Sequence, residues 1–486
     1  MNKRDFDAVV VGSGPNGLAA AITLQQAGLS VLIIEGKNTI GGGLRTGELT
    51  LPGFHHDICS AIHPLAIGSP FFEKLPLEKF GLEFINPIFP AAHPFDGGRA
   101  AVLCNSLQNT AQALGVDEHA YAGLIEPVVD QWPLIVNNVL GPLVFPKHPI
   151  ALARFGLNAL QSAMGISKKF STKEAKGLWA GMAAHSIQPL TNISSAAIGI
   201  VLMAAAHLRG WPIPKGGSQS IADSLASYFI HLGGKIETNV YIRSLDQLPS
   251  SQAVLFDVTP KQLMTIAGHT FSPLYKWQLN RYRYGMGVFK IDWALNAPIP
   301  FTAKDCQKAG TVHLGNSFEE IAIGEQEIWN GKHSEKPFVL LAQPSVFDST
   351  RAPGGKHTAW AYCHVPHAST TDMTEAIERQ VERFAPGFRE TILAKHTMNT
   401  AEMESYNPNY IGGDINGGVI DIGQLFTRPA LRRSPYRTSA KGLYICSSST
   451  PPGGGVHGMC GYHAAKRALR DIFSRLANKN LGFAGY

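Results

Sequence analysis

Three glycines and a carboxylate near the start of the chain have the types and spacing to hold a phosphorylated nucleotide. Residues 8–11 are an apolar run ending in Gly12-Ser13-Gly14-Pro15-Asn16-Gly17, and Glu35 lies eighteen residues beyond Gly17. In a strand–turn–helix unit the first glycine makes the tight turn. The second lets the backbone approach a pyrophosphate, and the third lets the helix sit close on its strand. Pro15 suits a first helical turn, where its missing N–H costs nothing. The helix then aims N–H groups and a positive dipole end at an anion, and Gly28 closes it. A second strand over 30–34 delivers Glu35, followed by Gly36, to ribose hydroxyls. A carboxylate there argues against a 2′-phosphate, which leaves FAD or NAD rather than NADP.

The segment just downstream decides between them. Gly41-Gly42-Gly43-Leu44-Arg45-Thr46, then Gly53-Phe54-His55-His56-Asp57, resemble the second and third signatures of the phytoene dehydrogenase-related flavoproteins. These form the phytoene desaturase and carotenoid isomerase branch of the flavin amine oxidase superfamily. The resemblance implies noncovalent FAD, with Gly42, Gly43 and Leu44 over its pyrophosphate and Arg45 approaching the flavin. Asp57 reads as a structural hydrogen bonder.

The C-terminal region is similar to the same family's closing motif. A strand through Tyr444-Ile445-Cys446 runs into Ser447-Ser448-Ser449-Thr450-Pro451-Pro452-Gly453-Gly454-Gly455-Val456-His457-Gly458-Met459, and a helix over about 462–476 follows. Gln424 to Pro429 resembles the family's Gln-x-x-x-x-Arg-Pro segment. The resemblance implies that Ser448, Gly455, Val456, His457, Gly458 and Met459 lie at the pyrimidine edge of the flavin. His457 and Arg428 are then the candidate catalytic groups, lining the flavin end of the substrate space. Where many relatives carry a carboxylate after the strand, this chain has three serines. A third similar segment, Pro214-Lys215-Gly216-Gly217 with a helix over 221–232, places Ile242 against the adenine.

Composition narrows the function classes. Charged residues make up 16% of the 486, and the net charge is +6. That charged fraction is well under the roughly 25% of soluble proteins, so some apolar surface is expected to meet another body, a membrane surface included. No basic block stands out, which excludes nucleic acid as a partner. The six cysteines form no CxxC pair, which argues against a disulfide reductase, a zinc site or a disulfide framework. The histidines show no metal-ligand spacing on a helix, so no metal is expected. His185 reads as a core histidine. No signal peptide precedes the first strand, so the expected setting is cytoplasmic. The longest apolar stretch, 193–206, falls short of the roughly twenty residues needed to span a bilayer and reads as a buried helix.

These elements predict an α/β chain with a Rossmann-like FAD-binding domain assembled from three segments, 1–75, 212–265 and 425–486. The insertions 76–211 and 266–424 make a substrate domain. The first is read as a mostly helical cap. The second holds a mixed sheet with strands near 287–291, 338–341 and 358–362 and a helix over 373–384. A sheet under a helical cap encloses an apolar cavity. The resemblance implies hydride transfer between FAD and an apolar, polyene- or lipid-like small molecule. The alternatives are an isomerase or saturase on the same scaffold, or an inactive flavoprotein that serves as an interaction partner. Only one dinucleotide fingerprint is present, so the electron acceptor is expected to be oxygen or a quinone. Residue types alone leave the oligomeric state open.

Overall fold

The computed structural model describes residues 4–474. Among these residues one sheet is five-stranded and wholly parallel. Its order is Leu443–Ile445, Ala253–Phe256, Ala8–Val11, Val31–Ile34, Lys235–Glu237. The three central strands are buried at every position because both faces are covered, as parallel strands require. Val10, Ile33 and Leu255 face the helices Pro15–Gln26, Gln219–His231 and Met459–Ile472 through Leu18, Ile22, Leu225 and Ala465. Val9, Leu32 and Phe256 face the helices Pro260–Ala267 and Pro273–Asn280 through Leu263, Ile266 and Tyr275. The sheet therefore draws its strands from three distant stretches of chain.

The helix expected over 221–232 is Gln219–His231. The closing helix begins three residues before its expected start, at Met459. The last two residues of its expected span, 475–476, lie outside the described residues.

The second sheet has seven strands, again among the described residues. They run Ile392–Met398, Gly287–Leu295, His357–Val365, Val339–Ala342, Ala309–Leu314, Phe89–Phe95, Arg99–Leu103. All neighbours are antiparallel except Ala309–Leu314 against Phe89–Phe95. Helix Thr374–Phe384 covers one face through Ile377, Val381 and Phe384. The opposite face looks towards a helical layer that includes Glu118–Val139, Pro149–Ala159, Lys173–Ala184 and Ala196–Arg209.

The segment 76–211 is mostly helical, as expected, and it also gives two strands to this sheet. Pro90 and Pro94 hide the first of them, since each removes a ladder donor. The parallel pairing with Ala309–Leu314 ends at Ala92, so Pro94 is paired only to the hairpin partner, at Ala100. The apolar stretch near 193–206 is the helix Ala196–Arg209, with nine buried residues. Among the described residues no helix is long and apolar enough to cross a membrane.

The closing helix crosses the first helix with no side chain between them. A Cβ on Gly461 would lie 1.8 Å from the Asn16 carbonyl oxygen and 2.9 Å from the Ala20 nitrogen. Gly461→Leu should force the helices apart and lower Tm, at or beyond the roughly 1–3 kcal/mol typical of overpacking. Differential scanning calorimetry reads this directly, and an unchanged Tm would contradict the contact.

Candidate functional site

The glycine turn packs as its three roles demand. Gly12 is left-handed, with φ +99°. A Cβ on Gly17 would lie 2.1 Å from the Gly12 carbonyl oxygen, and one on Gly14 would lie 2.7 Å from Asp257 Oδ2. Pro15 opens the helix. Gly12, Gly14, Pro15 and Asn16 line a cavity of about 470 Å³, together with Glu35 and Gly36. Gly17 stands behind them, and its N–H donates to Asp257 Oδ2 at 2.9 Å. Asn16 Oδ1 is buried without a partner beside this open space.

Glu35 is buried and ties the turn together. Its Oε2 accepts from the Ser13 backbone N–H at 2.9 Å and from Ser13 Oγ at 2.6 Å. Its Oε1 accepts from Lys37 N–H at 3.0 Å and from Arg45 Nη2 at 3.2 Å. Arg45 departs from the expected approach to the flavin end. Its guanidinium is bound to Glu35 and, at 2.8 Å, to the Thr39 carbonyl, and it lies 5.5 Å from the centre of the Tyr406 ring. It therefore belongs to the Glu35 end of the cavity.

Gly42 brings the second motif against the first, since a Cβ on it would lie 3.1 Å from Gly14 Cα, whereas Gly43 lines the cavity and packs on Tyr410, whose hydroxyl would lie 2.4 Å from a Cβ there. Leu44 is fully buried in the core rather than on the cavity wall. Ile242 lines the cavity near Glu35, next to Tyr241, whose ring would lie 2.9 Å from a Cβ on Gly36. Asp57 is structural. It accepts from Thr46 Oγ1 at 2.8 Å and from Ser218 N–H at 2.7 Å, and it pairs with Arg351 at 2.6 Å.

At the far end of the cradle Ser448, Gly455 and Val456 form cavity wall, together with Gly454. Gly458 and Met459 stand one layer back, where Gly458 packs on Phe71 and Met459 is buried. Neither candidate catalytic group reaches the cavity. The His457 ring is turned into the loop, where its Nδ1 accepts from Met459 N–H at 3.0 Å. Burial pushes its pKa down to about 4. Arg428 is also buried and acts as a brace, its Nη2 donating to the Ser448 carbonyl at 2.8 Å.

The same cavity continues into a chamber between the second sheet and the helical layer. Lys290, Thr311, Leu340, Trp360 and Tyr362 form its sheet side; Ile198, Leu202, His185 and Trp211 close the helical side. Trp360 and Tyr362 stack at 13° with ring centres 5.7 Å apart. The Lys290 ammonium is held in a buried ion pair with Asp292, and His56 Nδ1 lies 3.6 Å from the other carboxylate oxygen. Burial, outweighing the Asp292 charge, pushes the His56 pKa down to about 4. Among the described residues no cluster of His, Cys, Asp or Glu is arranged to hold a metal.

Several of these residues escape sequence reasoning. Lys290 interrupts an apolar strand, which was the available signal. Trp360 and Tyr362 alternate on one strand face but look like ordinary core. His185, read as a core histidine, instead lines the chamber.

Comparison with known proteins agrees with this architecture. The family model "NAD(P)-binding Rossmann-like domain" matches residues 10–72. Pyridine nucleotide-disulfide oxidoreductase domain-containing protein 2 of Mus musculus is 25% identical, across 97% of this chain and 94% of its own length. The lycopene-forming phytoene desaturase of a Paracoccus species is 24% identical, across 97% and 98%. Among solved structures, an oxidoreductase from Methanosarcina mazei superposes with a TM-score of 0.67 at 16% identity, covering 96% of this chain and all of its own. The chain is thus a homologue of oxidoreductases along nearly its whole length, as the motif resemblance implies, and it shares their Rossmann-like fold.

Asp257 is the residue of the cradle that sequence reasoning missed, although it ends an apolar strand just as Glu35 does. Burial is the main cause that pushes its carboxyl from the ordinary 3.8 up to about 7; the Glu35 charge adds to the shift and the Gly17 N–H opposes it. The folded chain therefore keeps a proton that the unfolded chain releases. This stabilisation is complete below about 4 and is lost as pH rises through about 7. Asp257→Asn retains an acceptor for Gly17 and cannot ionise. Urea unfolding of the cofactor-free protein should show a flatter stability profile for this variant between pH 4 and 7, with higher stability than wild type at pH 8.

Proposed function

We propose that this chain is an FAD-dependent oxidoreductase that transfers a hydride between noncovalently held FAD and an apolar small molecule, a polyene- or lipid-like compound. The observation that carries this reading is continuity: the glycine cradle and the apolar chamber are one cavity. The cradle residues fit a dinucleotide. Glycines 12, 14 and 42 keep the backbone bare, and the helix starting at Pro15 offers N–H groups and a positive end to a pyrophosphate. Glu35 and Ile242 stand where a ribose and an adenine would be received, and Gly454 to Val456 bound the opposite end.

FAD bound there supplies the hydride chemistry; the protein supplies position and a dry environment. Trp360, Tyr362, Leu340, Ile198 and Leu202 exclude water and hold an apolar body against the cradle's far end. Arg428 fixes the Ser448 carbonyl and so the shape of the wall. With a single dinucleotide fingerprint in the chain, oxygen or a quinone is the fitting electron acceptor.

A lipid surface is the fitting source of such a substrate. Phe145 is 92% exposed, and Leu143, Ile150 and Leu157 are each about 70% exposed or more. Exposed Lys147, Arg154, Lys168 and Lys169 accompany them, and no acidic residue occurs between Asp130 and Glu174. Helix Pro149–Ala159 packs on Ala196–Arg209, whose Ile198 and Leu202 line the chamber. Apolar side chains rimmed by cations suit an anionic membrane interface.

Two experiments test these proposals. Purified protein should release FAD on acid or heat treatment, identified by mass. Gly14→Val should abolish retention, and Glu35→Ala should weaken it by about 1.5–3 kcal/mol, the worth of a charge-assisted hydrogen bond. Absence of any flavin after reconstitution would overturn the assignment. Separately, the protein should co-sediment with phosphatidylglycerol vesicles, less so in high salt and much less as the double variant Phe145→Glu, Ile150→Glu. Equal sedimentation of variant and wild type would rule out this face.

A further inference from the structure

The chamber carries a polar end that a bare hydrocarbon would leave unsatisfied. His185 follows helix Lys173–Ala184, and its Nε2 lies 2.9 Å from Nε2 of His313 on strand Ala309–Leu314. Burial pushes the pKa of His185 down to about 3 and that of His313 well below the usual range, so both rings are neutral and each holds one proton. Only one proton fits between the two facing nitrogens. Were it on His185, His313 would have to carry its own proton on Nδ1, which is buried without a partner. A buried N–H left unpaired is rarer and costlier than an unpaired lone pair. The proton between the rings therefore belongs to His313, whose Nε2 donates. His185 then accepts at Nε2 and carries its proton on Nδ1, the nitrogen left to face the chamber that its ring lines.

A second donor stands beside it. Thr311 lies two residues before His313, on the same strand face, and also lines the chamber. Its Oγ1 accepts from Trp211 Nε1 at 2.9 Å, which leaves the hydroxyl proton to donate. The Trp211 and His185 rings meet edge to face with centres 6.4 Å apart, so both donors share one end. The buried cation of the chamber is elsewhere. Lys290, Tyr362, Leu340 and His313 are register partners across four adjacent strands. Three strand spacings put Lys290 about 14 Å from His313.

We propose that His185, with its proton fixed on Nδ1 by His313, and the Thr311 hydroxyl form a receptor for an uncharged oxygen, so that the substrate is an apolar molecule bearing a carbonyl-type acceptor. This rests on the chamber being the substrate space of the preceding section and names the substrate class more narrowly. Neutral donors favour a ketone, aldehyde, ester or quinone oxygen. Neither His185 nor Thr311 supplies a counter-charge for a carboxylate.

The test uses a volatile pair of similar size, 2-octanone and octane, with binding to the purified holoprotein measured by headspace gas chromatography. The ratio of ketone to alkane affinity should fall about tenfold in His185→Phe, the worth of one buried hydrogen bond. It should be largely kept in His185→Asn, which offers an N–H from a similar position. If His185→Phe does not fold, Thr311→Val reads the same ratio with little change in volume. An unchanged ratio, an equal loss in His185→Asn, or no saturable 2-octanone binding by wild type would overturn the proposal. Flavin content is read from the absorbance of each sample. A flavin-free protein that still shows the ratio change would count against the FAD assignment and leave this receptor standing.

Discussion

Backbone packed directly on backbone around residues 12–17 is the constraint on which the rest of the molecule depends. The first helix rests on its own strand at Gly17, the second glycine motif rests on Gly14 at Gly42, and the closing helix rests on Asn16 at Gly461. No side chain separates these contacts, so each fixes the relative position of two segments to a fraction of an ångström. Asp257 adds a fourth segment by accepting the Gly17 N–H from 240 residues away. The cradle is therefore a property of the folded whole: residues 12–17 alone make a turn, and the walls arrive from near 42, 257 and 455.

Such convergence tolerates long insertions because the entropic cost of closing a loop grows only slowly with its length. The second sheet, built from strands between 89 and 103 and between 287 and 398, meets the cradle at the chamber. The helical layer closes that chamber through Ile198 and Leu202 and carries the exposed apolar face at 143–157 on its outer side. Chamber and outer surface are thus separated by a thin layer of helices.

What the sequence made legible was local. The strand–turn–helix unit, the parallel strands and the glycine motifs follow from steric demands that a few neighbouring residues must meet. Side-chain direction was not legible, because it depends on partners far along the chain. Arg45 swings to Glu35 and Thr39, and His457 folds back onto Met459 N–H, although both belong to segments that reach the cavity. His185 looks like core until strand Ala309–Leu314 brings His313 opposite it. The strand at 89–95 was hidden by two prolines whose missing donors matter less where pairing on one side ends early.

The buried titratable groups show how the cavity treats charge. Burial pushes His56, His63 and His457 down to about 4 and His185 to about 3, so the histidines around the cavity are neutral at physiological pH. His457 therefore brings no positive charge to the Gly454–Val456 wall. Its Nδ1 is committed as an acceptor from Met459 N–H, so its proton is on Nε2, directed at the Gly453 and Gly454 backbone of the same loop. Positive potential at that wall must come from other groups. The closing helix presents its N-terminus there, and the Arg428 guanidinium stands one layer back against the Ser448 carbonyl. An electron-rich group held at this end would thus meet a field set by the dipole of the closing helix and by the guanidinium behind the wall. A helix dipole stays constant across physiological pH, whereas an ionising imidazole at the same place would make the field vary.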